Sequence, residues 1–197
     1  IPGGVALAQG ITKFAPDRPR LVLNPKGPTS DVRAMLLSPD GKRLYVAGLD
    51  KVVQVYEVAV DPANPGRDRL VAGTTLRWEV SRGTKGSINA LAQSPDGKLV
   101  YVGGIAARSP YGRIAIFDPA QRQIVGALPL DVPSGDARAM ERLAHLEAVT
   151  SLSMSPDGKR LASTSADGEV RVWPLDVPVP ENGQTVSIIV RGKQVVA

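Results

Sequence analysis

The chain's single histidine, His145, is the first residue whose chemistry bears on function. One imidazole cannot supply the two or three nitrogen ligands of a histidine-rich metal centre, so that class is excluded. As a catalytic base it would need a nucleophile or a metal beside it. The 197 residues include no cysteine, which removes disulfides, thiolate nucleophiles and zinc–thiolate sites together. Asp40, Asp96 and Asp157 invite a calcium reading, but each lies in an isolated Ser-Pro-Asp-Gly segment without the alternating acidic ligands of a calcium loop. Turn formation is the expected role of all three. Neither Gly103-Gly104 nor the glycine at 73 belongs to a phosphate loop, and no Gly-x-Gly-x-x-Gly opens a helix. The Gly-x-Ser-x-Gly of hydrolases is absent. Lys13, Arg18, Arg20 and Lys26 form a modest basic cluster, read as a solvated face with docking to an acidic partner as the functional alternative.

The net charge of +5 and pI near 9.7 come from Lys and Arg spread among Asp and Glu. This gives weak attraction to anionic surfaces and no nucleic-acid footprint. Aromatic residues make up only 4% of the chain, which argues against stacking platforms for bases. Apolar runs span only a few residues, far below the ~20 that cross a bilayer as a helix.

Short strands must position these residues. Ser-Pro-Asp-Gly-Lys occurs three times, at 38–42, 94–98 and 155–159, and the flanks align without gaps. Asp-Val-Arg-Ala-Met-Leu-Leu from Asp31, Ser-Ile-Asn-Ala-Leu-Ala-Gln from Ser87 and Ala-Val-Thr-Ser-Leu-Ser-Met from Ala148 precede the copies. Arg-Leu-Tyr-Val-Ala-Gly, Leu-Val-Tyr-Val-Gly-Gly and Arg-Leu-Ala-Ser-Thr-Ser follow them. Proline presets φ for a turn and glycine supplies the positive φ that ends it. Each unit therefore reads strand, tight turn, strand, turn, strand. A fourth, more variable strand is expected near 70–78, at 123–128 and at 185–190. Four antiparallel strands, repeated, make the blade of a β-propeller.

The expected fold is all-β: about three full blades, at 31–80, 81–130 and 148–190, plus a partial one in residues 1–30 and a tail at 191–197. The copies start 56 and 61 residues apart, longer than the ~40–45 typical of such blades. The excess falls at 61–69, 106–111 and 131–147. The last insertion is expected to hold a short helix over 134–146, with Ser134 as N-cap and Ala137, Met140, Leu143 and Ala144 on one face. An open stack of blades leaves an unpaired edge and wet apolar faces. The ring is therefore expected to be completed by further chain, by a partner or by self-association, and the start at Ile1 rather than Met points the same way.

The third unit resembles a WD repeat. The resemblance rests on His145-Leu-Glu-Ala-Val, Ser155-Pro-Asp-Gly, Ser163-Thr-Ser-Ala-Asp-Gly and Val170-Arg-Val-Trp. It implies a structural hydrogen-bonded tetrad of His145, Ser165 (or Ser163, on the same side), Asp167 and Trp173. The other units depart from the pattern. The first has Gly27-Pro28 in place of Gly-His and Tyr56 in place of Trp, and keeps Asp50. The second has Gly83-Thr84, then Tyr111 where the Asp should be, and Phe117 in place of Trp. Their Leu-Tyr-Val-Ala-Gly and Val-Tyr-Val-Gly-Gly strands look more like the YVTN-type propellers of bacterial and archaeal surface proteins.

The resemblance implies a protein-interaction scaffold, part of a larger protein or assembly, that binds or positions a partner through its loop faces. The positions it points to are Arg33, Leu49, Asn89, Thr150 and Ala166. No catalytic residue, metal or cofactor is expected. The alternative is a propeller enzyme, such as a lactonase, or a ligand-binding domain using the central channel. The inner strands offer Arg33, Asn89, Gln93, Thr150 and serines, a poor set for acid–base chemistry. The expected partners are a protein or the remaining blades, from the same or another chain. Missing cysteine and YVTN-like strands lean towards a bacterial extracytoplasmic, periplasmic setting.

Overall fold

Each Ser-Pro-Asp-Gly-Lys copy closes a hairpin in the same way. In this computed structural model, which describes residues 27–59, 69–78, 82–108, 110–128, 144–175 and 193–195, the turn glycines Gly41, Gly97 and Gly158 have φ of 69, 74 and 70°. Each glycine N–H donates to the carbonyl of the first serine, at 2.8–2.9 Å. The aspartate Oδ1 accepts from that serine's hydroxyl, at 2.5, 2.6 and 2.6 Å, and from the lysine N–H. The serine Oγ in turn accepts the N–H of the residue five positions on, at 2.9 Å in all three copies: Arg43 and Arg160 open the next strand, and Leu99 directly precedes it. These side chains satisfy the turn's backbone locally, which accounts for the residue types without any metal.

The strands fall into three antiparallel sheets of four. The first blade comprises β1 (Val32–Leu37), β2 (Arg43–Gly48), β3 (Val52–Ala59) and β4 (Arg69–Arg77). The second comprises β5 (Ile88–Gln93), β6 (Val100–Ile105), β7 (Gly112–Asp118) and β8 (Gln123–Leu128). The third comprises β9 (Val149–Met154), β10 (Arg160–Ser165), β11 (Val170–Pro174) and β12 (Lys193–Val195). Strand order follows chain order in every sheet, the meander of a propeller blade. The fourth strand of the third blade is Lys193–Val195, paired with β11; the expected strand at 185–190 lies outside the described residues. Residues 1–26 and the insertion at 61–68 lie outside them as well. So do residues 134–143 of the expected helix. Its last residues are not helical: His145 makes an isolated antiparallel bridge with Gly112, because Ala144 and His145 both donate to the Gly112 carbonyl. Among the described residues no helix is long and apolar enough to cross a membrane.

Two apolar layers join the blades. Tyr45, Val53, Val55, Leu76 and Trp78 of the first blade meet Ile88, Leu91, Val100, Val102 and Phe117 of the second. Tyr101, Ile114, Ile116 and Leu128 of the second meet Val149, Leu161 and Trp173 of the third, with Leu152 and Met154 packed alongside. The middle blade is covered on both sides, so β6 is buried over nearly its whole length instead of alternating. β1 alternates, with Ala34 and Leu36 inward and Met35 and Leu37 outward. Full burial of each large side chain contributes about 1.5–3 kcal/mol.

Candidate functional site

The densest polar arrangement lies at the end of the third blade remote from its Ser-Pro-Asp-Gly turn. His145, carried by the bridge to Gly112, is fully buried. Its Nε2 is 2.7 Å from Ser163 Oγ and its Nδ1 is 3.2 Å from Asp167 Oδ2. Trp173 Nε1 donates to the same Ser163 Oγ at 2.8 Å. An indole N–H can only donate, so the serine oxygen accepts there. The Asp167 carboxylate can only accept, so the imidazole carries its proton on Nδ1 and donates it to Asp167; in the neutral ring Nε2 is then the acceptor and takes the Ser163 hydroxyl hydrogen. Burial pushes the His145 pKa down, against the pull of Asp167, which keeps the ring neutral. Burial alone would raise the Asp167 pKa, but the N–H of Glu169, the imidazole and the N–H of Leu146 together hold the carboxyl below its ordinary value.

Ser163, on β10, is the hydroxyl that bridges the imidazole and the indole. Ser165, given first place on sequence grounds, does something else: its Oγ donates to the Glu147 carbonyl at 3.0 Å and accepts the Asp167 N–H at 3.2 Å, shaping the turn. Arg171 carried no expectation. It donates to the Ala144 carbonyl at 2.9 Å and pairs with Glu169, tying the histidine segment to β11. Its position in an alternating charged and apolar strand gave no sign of this.

Ser163, His145 and Asp167 have the connectivity of a hydrolase triad, with serine on Nε2 and carboxylate on Nδ1. The surroundings rule out that chemistry. Ser163 is 1% exposed, and its oxygen also receives an indole proton, so no acyl group can reach it. His145, Asp167 and Glu169 also bring ligand atoms within 4.8 Å of one another. Both imidazole nitrogens are engaged within the network, and Glu169 is held by Arg171. The network's hydrogen bonds join the Asp167 turn, the His145 segment, β10 and β11.

The other blades show what replaces it. Asp50 accepts the Thr29 N–H at 3.4 Å, as Asp167 accepts that of Leu146. Pro28, Val46 and Tyr56 occupy the registers of His145, Ser163 and Trp173; in the second blade these are Thr84, Val102 and Phe117. Exchanging interior polar partners together for apolar groups costs little, whereas removing one strands the rest.

The five positions expected to meet a partner fall into two rows at this same end of the blades. Arg33, Asn89 and Thr150 share one register on the inner strands β1, β5 and β9. Arg33 Nη1 donates to Asn89 Oδ1 at 3.2 Å, and Asn89 Nδ2 donates to the Val149 carbonyl at 3.0 Å, so one polar chain links all three inner strands. Thr150 Oγ1 lies 2.8 Å from Thr164 Oγ1. Leu49 and Ala166 share the second register, their N–H groups donating to the carbonyls of Asp31 and Ala148. Arg33, Thr150 and Ala166 are exposed; Leu49 and Asn89 are half-buried.

Comparison with known proteins bears on the blades. Residues 14–57 and 139–174 match the family described as WD domain, G-beta repeat. The chain is 27% identical over 172 residues to the WD repeat-containing protein VIP3 of Arabidopsis thaliana, covering 87% of this chain and 47% of the relative. It is 31% identical over 136 residues to the cell division cycle protein cdt2 of Schizosaccharomyces pombe, covering 69% and 23%. It is 28% identical over 141 residues to the transcription factor unc-37 of Caenorhabditis elegans, covering 66% and 20%. The chain thus spans less than half the length of each of these relatives. All three are eukaryotic, so the bacterial, YVTN-like expectation gains no support and rests on the sequences of β2 and β6 alone. Taken with the meander sheets, these matches support a WD-repeat propeller, legible in the first and third of its blades.

Proposed function

We propose that the chain is a protein-interaction scaffold that binds or positions a partner through the face carrying Arg33, Leu49, Asn89, Thr150 and Ala166. The observation that carries this is the Arg33–Asn89–Val149 chain of hydrogen bonds, which holds the starts of three inner strands in one fixed array. A preorganised array loses little conformational freedom on binding. The exposed guanidinium of Arg33 is of the residue type in which interface anchors are enriched, and the half-buried Leu49 adds apolar contact area beside it. Affinity capture with the intact chain and with an Arg33→Ala/Leu49→Asp variant tests the assignment. The variant should lose the captured proteins; an unchanged set removes the site from this face.

A second reading concerns the outer side of the first blade. Val32 and Met35 are 46% and 69% exposed, while Ile88 and Leu91, at the same register of the second blade, are 0% and 8% exposed beneath the first. This favours a further blade, from the same or another chain, as the occupant of that side. If the blade comes from another chain, Met35→Glu should change the assembly state seen by light scattering; if it comes from the same chain, the mass should stay and the melting temperature should fall, and no change in either would refute this reading.

A further inference from the structure

Among the described residues, the outermost strand of the first blade keeps an open edge. β4 comes last in its sheet, so the outer row of its backbone N–H and C=O groups is not paired there. It is nine residues long and largely exposed, whereas β8, the outer strand of the second blade, has six and is buried over its last three. Natural sheet edges are usually blunted by interior charges, prolines or bulges. Between Arg69 and Arg77, β4 reads Leu-Val-Ala-Gly-Thr-Thr-Leu, with no charge and no proline. Its one irregularity, a register shift opposite Val55, leaves regular stretches at Arg69–Ala72 and Thr75–Arg77. Leu70 and Val71 stand 54% and 50% exposed. Paired with Val58 and Glu57, they lie on the two opposite faces of the sheet.

The charges say what would pair there. Arg69 and Arg77 are both exposed, and across the ladder they face Ala59 and Val52. Neither has a carboxylate partner among the described residues. The one acid of β3, Glu57, lies opposite Val71 and pairs with Arg43, and β4 itself has none. A second copy suits this edge poorly. Antiparallel pairing about Gly73 would set each Arg69 opposite an Arg77, and like charges directly opposite destabilise a ladder. A strand with a carboxylate at each end meets both arginines, while its backbone extends the ladder between them.

We propose that β4 accepts an extended, acid-ended segment of a partner protein as a fifth strand of the first blade, with its carboxylates on Arg69 and Arg77. This edge belongs to the outermost strand, apart from the inner-strand face of Arg33 and Asn89, and does not depend on that face. Titration of the full chain with acetyl-Glu-Val-Thr-Val-Thr-Val-Thr-Glu-amide, eight residues like β3, tests it. Binding should be saturable, and amide hydrogen exchange should slow within Arg69–Arg77. The same peptide with lysine at both ends should bind at least ~tenfold more weakly. Arg69→Glu/Arg77→Glu, two changes at exposed positions, should reverse that preference, while Arg33→Ala/Leu49→Asp should leave it as it is. No saturable binding, equal affinity for the two peptides, an unaltered preference in the arginine variant, or protection away from β4 would overturn the assignment. So would a doubled mass of the free chain with β4 already protected, which would put a second copy on the edge.

Discussion

The indole N–H of Trp173 donates to the hydroxyl oxygen of Ser163, 2.8 Å away, at one end of a series whose direction is set at the other end by the Asp167 carboxylate. A carboxylate only accepts, so neutral His145 carries its proton on Nδ1 and takes the Ser163 hydrogen on Nε2. The series ends on a carboxylate that also caps the N–H groups of Leu146 and Glu169. What separates this series from a working triad is that the Ser163 oxygen is buried and also receives the indole proton.

Ser163→Ala should be far more costly than Ser165→Ala. The first leaves the indole N–H and the imidazole Nε2 buried without partners, at about 1–3 kcal/mol for each group. The second loses two half-exposed turn contacts, to the Glu147 carbonyl and the Asp167 N–H, each worth about 0.5–1.5 kcal/mol but replaceable by water. Urea denaturation midpoints of the two variants compare them directly, and equal losses would contradict the network drawn here.

His145 makes stability depend on pH. Its folded pKa lies below the ordinary value of 6.5, so below that pH the unfolded chain takes up a proton that the folded chain refuses. The contribution is complete above 6.5 and is lost as pH falls from there towards the folded value. Stability measured between pH 7 and pH 5 should decline in the parent chain, and this component of the decline should vanish in His145→Gln. An identical slope in both would sink the neutral-imidazole assignment.

Gly112→Ala should unseat the histidine. A Cβ at this position would lie 2.1 Å from the Glu147 carbonyl oxygen and 3.0 Å from His145 Cβ. Overpacking of this kind costs about 1–3 kcal/mol. The expected results are a lowered melting temperature and a shifted His145 imidazole resonance; a resonance left in place would show that the bridge accommodates a side chain.

Ile88→Ala and Val32→Ala remove side chains at one register of two blades. Ile88, fully buried, should cost about 2–5 kcal/mol. Val32, 46% exposed, should cost under about 1 kcal/mol in the isolated chain. Comparable losses would mean that the outer side of the first blade is already covered.

Some features follow from local pattern. Proline and glycine at fixed places in Ser-Pro-Asp-Gly-Lys dictate a tight turn wherever they occur, and alternation marks the strands on either side. That is why β1, β5 and β9 run up to the three copies and β2, β6 and β10 follow them, and why a blade could be read from three aligned copies. Gly112 was legible in principle as well, since a glycine opening a strand often marks a close backbone approach.

What the chain determines by itself is the unit: the turn chemistry, the four-stranded meander and the residue types His145, Asp167 and Trp173 at their spacing. Only the tertiary structure decides between Ser163 and Ser165, because both lie on the same strand and the choice depends on which oxygen meets an indole from β11. It also decides that Leu91 is buried while Met35 is exposed, although both sit at one register, because burial is set by whether a neighbouring blade lies against that side. Gln93 is of the same kind: the amide is visible in the sequence, but that its Nε2 donates to the Gly97 carbonyl while Oε1 is buried without a donor follows only from how the turn is placed.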